Sequence, residues 1–191
     1  MNDAPAILTT GSDYDCYTRG VECRNTGRFS EAFDWFVRVS PTSIYAAKAS
    51  DLIVTILLAS GEVEDAVVFG ERALWQVACP TVGLAREVAR ALRHQNRPAD
   101  SLALCRKWLP QASTYHEFWI LNDAACYATC CGEWVPVLDY LFDWTRRDPF
   151  WEGSDTFTDY DLLPLWEHLR SDKLSRWEQR WTPKFGPVVK L

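Results

Sequence analysis

The sequence Gly-Arg-Phe-Ser-Glu-Ala at residues 27–32 returns as Gly-Glu-Val-Glu-Asp-Ala at residues 61–66, an offset of 34 residues. Two further turn residues, Asn96 and Gly132, continue the series, so that the intervals between successive turns are 34, 35 and 36 residues. A nearly constant period of this length indicates stacked helix-turn-helix units, because a lone helix pair cannot bury its apolar face and leans on a copy of itself.

The spacing predicts four units, each with one helix before the turn and one after it. Apolar residues recur with a helical period, as Phe29, Ala32, Phe33 and Phe36 do at i, i+3, i+4 and i+7. Ser12 or Asp13 is placed to cap the first helix, and prolines close the units because they cannot continue a helix. The predicted helices cover about residues 12–26 and 29–39, 44–60 and 63–78, 82–95 and 98–109, and 115–131 and 134–146.

These helices define an all-α domain organisation. We expect a flexible leader at residues 1–12, the repeat array at 13–149, a loop and capping helix at 150–181, and an extended tail at 182–191. The capping segment is expected because the last repeat would otherwise expose an apolar face to water.

Composition limits the functional classes. The net charge of −6, from 20 basic and 26 acidic residues, argues against a general nucleic-acid binder or a binder of anionic membranes. No basic residue precedes Arg19, and the longest apolar stretch, residues 52–59, is far short of the roughly 20 residues of a membrane span. Seven cysteines scattered through predicted helices indicate reduced thiols. We therefore expect a cytoplasmic protein with no membrane partner.

Small residues where neighbouring helices approach, with large residues between them, make the repeat resemble the tetratricopeptide-repeat (TPR) family. The residues that carry this resemblance are Gly20, Cys23, Gly27, Phe29, Ala32, Phe36, Val39 and Pro41 in the first unit, and Val54, Leu57, Gly61, Val63, Ala66, Gly70 and Ala73 in the second. The end resembles the terminal repeat of many bacterial arrays, with Asn-Asp-Ala-Ala-Cys-Tyr-Ala at 122–128 and Asp-Tyr-Asp-Leu-Leu-Pro-Leu at 159–165. The resemblance covers about residues 13–181. It implies a right-handed superhelix whose first helices line a concave groove that binds a peptide or protein, with no catalysis.

In this family, fixed positions of each first helix line the groove. The repeat register identifies the residues of this chain at those positions. The candidate contact residues are Tyr14 and Tyr17 in the first unit, Lys48, Asp51 and Thr55 in the second, Arg86, Arg90 and Arg93 in the third, and Trp119, Asn122 and Cys126 in the fourth.

The three arginines stand at i, i+4 and i+7 and share one helix face. Guanidinium groups there could hold carboxylates or phosphates in two-point contacts. We therefore predict that the partner segment is acidic or ends in a free carboxylate. The opposing interpretation is that Glu87 and nearby acids pair with these arginines on a solvated face.

Other kinds of site find little support in the sequence. Cys126 and Cys130 are one helical turn apart, but zinc sites need four ligands at tighter spacings, and buried small hydrophobes are the favoured interpretation of these cysteines and of Cys131. No phosphate-binding glycine loop, Gly-x-Ser-x-Gly or His-Glu-x-x-His motif occurs. We therefore predict no catalytic site, no metal and no cofactor.

The sequence thus predicts a non-catalytic protein–protein interaction scaffold that serves as an adaptor, a chaperone or an inhibitor. A helical-repeat RNA-binding protein is the first alternative; the arginine stripe is compatible with it and the acidic net charge opposes it. A non-catalytic subunit of an enzyme complex is the second. Because exposed end faces of a short array favour association, the chain could also work in a homo- or hetero-oligomer.

Overall fold

The computed structural model of the protein describes residues 12–133, 139, 140, 162 and 164, and of residues 114–118 it describes the helical backbone alone. Every regular element within these residues is a helix. The chain forms two compact units, Met1–Gln95 and Asn96–Leu191. The predicted all-α class is therefore confirmed for the described part of the chain.

Seven α-helices and one short 3-10 turn make up this part of the chain. Unit 1 holds α1 (Asp13–Asn25), α2 (Phe29–Phe36), α3 (Ala46–Ala59), α4 (Val63–Gln76) and α5 (Val82–His94). Unit 2 holds α6 (Pro98–Trp108), the 3-10 turn Leu109–Gln111 and α7 (Thr114–Cys130). With the exception of the end of α2, the predicted bounds of these α-helices agree with the structure to within two residues.

The second helix, α2, ends at Phe36 and not at residue 39 as predicted. The amides of Arg38 and Val39 donate hydrogen bonds to carbonyls three residues back, which tightens the backbone into a turn before Pro41. This turn places Val39 in the core and leaves Val37 half in water. Among the described helices, the early end of α2 is the largest difference from the prediction.

Several predicted segments lie outside the described residues. The helix predicted at residues 134–146 is one of them, apart from Asp139 and Tyr140, which are helical. The leader, the loop with its capping helix, and the tail are the others, apart from Ser12, Leu162 and Pro164. The domain bounds at 1–12, 13–149, 150–181 and 182–191 therefore stay predictions.

The four turn positions predicted from the repeat spacing all have left-handed backbone angles. The φ angles of Gly27, Gly61, Asn96 and Gly132 are 76°, 80°, 61° and 72°. Glycine adopts such angles without a Cβ clash, and asparagine tolerates them. Each turn residue therefore follows the end of a first helix.

The predicted cap of the first helix is also present. The Ser12 hydroxyl accepts a hydrogen bond from the Asp15 amide, and the Asp15 carboxylate accepts one from the Ser12 amide, both at 3.2 Å. This reciprocal pair satisfies amides that a helix start leaves without intrahelical partners.

Helices of unit 1 approach closely at two glycines of the repeat pattern. A Cβ atom on Gly20 would lie 2.5 Å from the Phe36 ring, and one on Gly70 would lie 2.6 Å from Val88 Cγ2. These contacts join α1 to α2 and α4 to α5, and α3 packs on α2, α4 and α5. Each helix pair of unit 1 thus packs against the helix or helices that follow it.

In unit 2, α6 packs against α7. Leu102 and Cys105 of α6 are buried, as are Ile120 and Leu121 of α7. A run of small buried residues from Ala124 onward continues the contact surface of α7.

Candidate functional site

The surface to which the first helices α1, α3 and α5 contribute is called here the first-helix face. Three tyrosines of unit 1 meet on this face. The Tyr17 ring of α1 stacks on Tyr45, with centroids 5.2 Å apart and planes 19° apart. The Tyr14 ring lies 5.7 Å from Tyr45 and is 57% exposed. Tyr17 also reaches Phe36 in the core, at 6.1 Å. The cluster therefore joins one anchored ring, Tyr17, to one ring, Tyr14, that is open to a ligand.

The sequence placed Tyr14 and Tyr17 among the candidates but missed Tyr45. It predicted a helix that began at about residue 44 and did not include Tyr45 among the contact residues. In the structure α3 begins at Ala46, and Tyr45 is the residue that precedes it. Tyr45 is thus set by the end of a loop, for which repeat spacing gives no position.

Charged residues of α1 and α5 act on Asp51 of α3. The pKa of Asp51 is raised to about 6, first by burial and then by the negative charge of Glu87, against the lowering effect of Arg86, Arg90 and Arg24. Three arginines and Glu87 therefore act on Asp51. The cluster carries a net positive charge, and that charge increases when Asp51 takes up a proton.

Glu87 contacts two other residues of this cluster. Its carboxylate lies 2.6 Å from a guanidinium nitrogen of Arg90 and 3.3 Å from the hydroxyl of Thr55. The Thr55 hydroxyl also reaches the Asp51 carbonyl, at 3.0 Å. The interpretation in which acids pair with the arginines is therefore correct for Arg90. The sequence predicted Glu87 as such an acid but not as a part of the site.

The other candidates of unit 1 differ in exposure. Lys48 is exposed on α3 and stands at i, i+3 and i+7 with Asp51 and Thr55, so the three share one side of the helix. Arg93 is half-buried, with its Nε enclosed by the protein. The predicted arginine stripe is thus uneven, because Arg86 and Arg90 act on Asp51 whereas Arg93 turns partly inward.

The three candidates of unit 2 lie on α7. Trp119 is 39% exposed and Asn122 is half-buried. Cys126 is only 5% exposed, because α7 is buried at nearly every position from Ala124 to Thr129. Cys126 is therefore a core residue of the described structure, and its role as a contact residue stays a prediction.

The cysteines are thiols, and none is paired in a disulfide. Within the described residues, no group of three or more His, Cys, Asp or Glu side chains is placed to hold a metal ion. Burial raises the pKa of Cys131, which lowers its thiolate fraction and its reactivity. Among the described helices, none combines the length and the apolar character that crossing a bilayer requires.

The arrangement of helical hairpins matches a solved structure. The structure of YrrB, described as a TPR protein with an unusual peptide-binding site, aligns with 88% of this chain and 84% of its own chain, with a TM-score of 0.64 and 12% sequence identity. The chain has the fold of a TPR-like helical-repeat protein. The resemblance that the sequence predicted is therefore confirmed at the level of the fold. Neither a protein-family model nor a curated protein matches the sequence.

Proposed function

We propose that this TPR-like protein is a non-catalytic interaction scaffold that binds an acidic peptide segment on the first-helix face of unit 1. The observation that carries the proposal is the presence, on one face, of a tyrosine cluster and of an arginine-rich cluster built from three helices. Aromatic rings and arginines are the residue types that most often anchor a protein partner. The solved TPR structure that the chain resembles is described as having a peptide-binding site, which supports the same class of ligand.

The charges of the face favour a carboxylate ligand. Arg24, Arg86 and Arg90 outnumber the carboxylates of Asp51 and Glu87, so an incoming carboxylate meets a net positive site. Guanidinium groups bind carboxylates with two parallel hydrogen bonds. The ligand group is therefore an Asp or Glu side chain or a free C-terminal carboxylate.

The tyrosines favour an apolar residue beside that carboxylate. Tyr14 is the open ring of the cluster, and the stack of Tyr17 on Tyr45 holds the wall behind it. A tyrosine offers a large contact area at a low cost in conformational entropy. A segment with a bulky apolar residue near its acidic group fits both parts of the face.

The proposal extends to the cellular setting. We place the protein in the cytoplasm, in keeping with its seven cysteines outside any disulfide, and in the role of an adaptor, chaperone or inhibitor subunit, alone or in an oligomer. Capture of partners from the native host followed by mass spectrometry distinguishes the three roles.

The direct test is fluorescence anisotropy with a short labelled peptide that contains Leu-Glu-Glu-Asp and ends in a free carboxylate. Its matched control has Leu-Gln-Gln-Asn and an amidated end. We expect the acidic peptide to bind at least about tenfold more tightly, which corresponds to one charge-assisted contact. Arg90→Glu should remove most of this preference, because it puts a third carboxylate beside Asp51 and Glu87.

Arg28→Glu is the matched control variant. Arg28 pairs with Glu31 three residues away on the exposed side of α2, much as Arg90 pairs with Glu87, so the change of net charge is the same. We expect Arg28→Glu to leave peptide affinity within about twofold, because exposed charges at a distance are screened by salt. Equal losses in the two variants, or binding of a labelled single-stranded RNA in place of the peptide, would contradict the proposal.

A further inference from the structure

The short second helix α2 borders a cleft in unit 1. This cleft lies between α2, α3 and α4, away from the first-helix face. Phe36 and Val37 line it at the end of α2, Ala49 and Ile53 line it from α3, and Phe69 and Arg72 line it from α4. Because α2 stops at Phe36, the turn that follows it, and not a further helical turn, lines this part of the cleft. The cleft has a volume of about 180 Å³.

The volume and the walls of the cleft suit one large apolar side chain. A cavity of about 150 Å³ lined by apolar groups is large enough to hold a benzene molecule. Phe36 and Ile53 are each 1% exposed, so they give the cleft a fixed apolar floor. A phenylalanine or leucine side chain would leave water on entering it, whereas a charged side chain would lose its hydration without a partner there.

The positive charge of Arg72 at the rim of the cleft favours an acidic partner residue next to the apolar side chain that enters the cleft. Arg72 carries the only charge among the lining residues, all of which belong to the described part of the chain. No ion pair joins Arg72 to any carboxylate of the described residues. A partner carboxylate next to the apolar side chain would therefore find a guanidinium group at the edge of the cleft.

Apolar surface continues outward from Arg72 along α4. Val68, Arg72 and Trp75 stand at i, i+4 and i+7 and share one helix face. Trp75 is 84% exposed and Val68 is 49% exposed, and Val37, at the mouth of the cleft, is 49% exposed. Tryptophan is the residue type most enriched among binding anchors. The outer face of α4 thus has the composition of a contact surface around the cleft.

We infer that this cleft is a second docking site, which takes a phenylalanine or leucine side chain of a partner protein with an aspartate or glutamate beside it. The apolar side chain fills the space above Ile53, the neighbouring carboxylate pairs with Arg72, and the flanking partner residues cover Trp75. The site shares no lining residue with the first-helix face. The protein can therefore hold two segments at once, one on each side of unit 1.

The test is an NMR titration of the full chain with short peptides that contain Gly-Phe-Glu-Gly, Gly-Phe-Lys-Gly or Gly-Ala-Glu-Gly. We expect the Phe-Glu peptide to shift the signals of Val37, Ile53 and Phe69, and the other two peptides to bind at least about fivefold more weakly. Arg72→Glu should reverse the order of the Phe-Glu and Phe-Lys peptides. Val37→Trp, a change at a half-exposed position, should block all three.

Arg90→Glu and Arg28→Glu are the control variants, and we expect both to leave the shifts at the cleft unchanged. Retention of the shifts in Arg90→Glu would separate this site from the first-helix face. Shifts confined to the first-helix face, or no order reversal in Arg72→Glu, would overturn the inference. So would a chain that is dimeric and becomes monomeric in Val37→Trp, because a second copy would then be the occupant. Contacts between the cleft and this chain's own residues in the absence of peptide would likewise overturn it.

Discussion

The two sides of unit 1 are built from the same helical hairpins but present different chemistry. On the first-helix face, charged and tyrosyl side chains from α1, α3 and α5 meet one another, as in the contact between Thr55 and Glu87. On the other side, α2 and α4 border an apolar cleft whose lining includes one charged residue, Arg72.

The difference follows from how each side is assembled. First helices α3 and α5 pack on each other directly, so polar residues at matching repeat positions come within hydrogen-bond reach. Second helices α2 and α4 have 8 and 14 residues, and the shorter one ends beside the cleft, where the turn that follows it forms part of the lining. Repeat register therefore sets the chemistry of one side, and helix length sets that of the other.

The largest expected effect contrasts two residues of α3. Ile53→Ala should lower the free energy of unfolding by about 2–4 kcal/mol, because Ile53 is both the floor of the cleft and part of the core. Thr55→Ala should cost about 1 kcal/mol or less, the usual contribution of one hydrogen bond in a partly exposed site. Urea denaturation followed by circular dichroism measures both. Equal losses of unfolding free energy in the two variants would contradict the contrast between a cleft that is part of the core and a polar face that is not.

The second prediction concerns Asp51, whose pKa of about 6 lies above its ordinary value of 3.8. A raised carboxyl pKa means that the ionised form destabilises the fold, so the stability that the proton confers is complete below about pH 4 and is lost as the pH rises through about 6. Asp51→Asn should therefore stabilise the protein at about pH 8, by roughly 1–3 kcal/mol at about 1.4 kcal/mol per pKa unit. The gain should vanish near pH 4. Thermal unfolding at the two pH values measures it.

Asp34→Asn, at an exposed position on α2, is the matched control and should change the stability little at either pH. A gain that is independent of pH would show that Asp51 is not the titrating group. A loss at about pH 8 would show that its ionised form holds the arginine cluster together, contrary to the sign expected from burial.

The sequence was sufficient for most of the helices and for the turns. Three glycines and Asn96 at nearly constant spacing fixed the register, because few residues adopt left-handed angles without strain. The end of α2 could not be predicted in this way. Val37 and Val39 continue its apolar pattern, whereas the turn that places Val39 in the core depends on packing between elements.

The candidate site could be predicted only where register decides it. Register brought Asp51, Thr55 and Arg86 to the side that also holds Glu87. It gave no position for Tyr45, which precedes its helix, and it placed Cys126 in a groove although both sides of α7 are buried there. Repeat spacing did not indicate the cleft, since its lining includes the end of α2 and the turn after it, which the spacing did not predict. The ligand-binding roles of all these residues remain predictions.

The smallest expected effect decides what Arg90 is for. Arg90 and Glu87 are 2.6 Å apart with 45% and 20% of their side chains exposed, so a double-mutant cycle with Arg90→Gln and Glu87→Gln should give a coupling of about 0.2–1 kcal/mol. Arg28 and Glu31, a pair at the same i,i+3 spacing on α2, should give a similar or smaller value.

Glu87→Gln should also strengthen binding of the acidic peptide by about two- to fivefold, because it removes a competing carboxylate from Arg90. If the coupling were instead about 2 kcal/mol or more, with peptide affinity unchanged, the pair would serve the fold and not a ligand. The first-helix face would then be a structural network of charges, and the apolar cleft would be left as the docking side of unit 1.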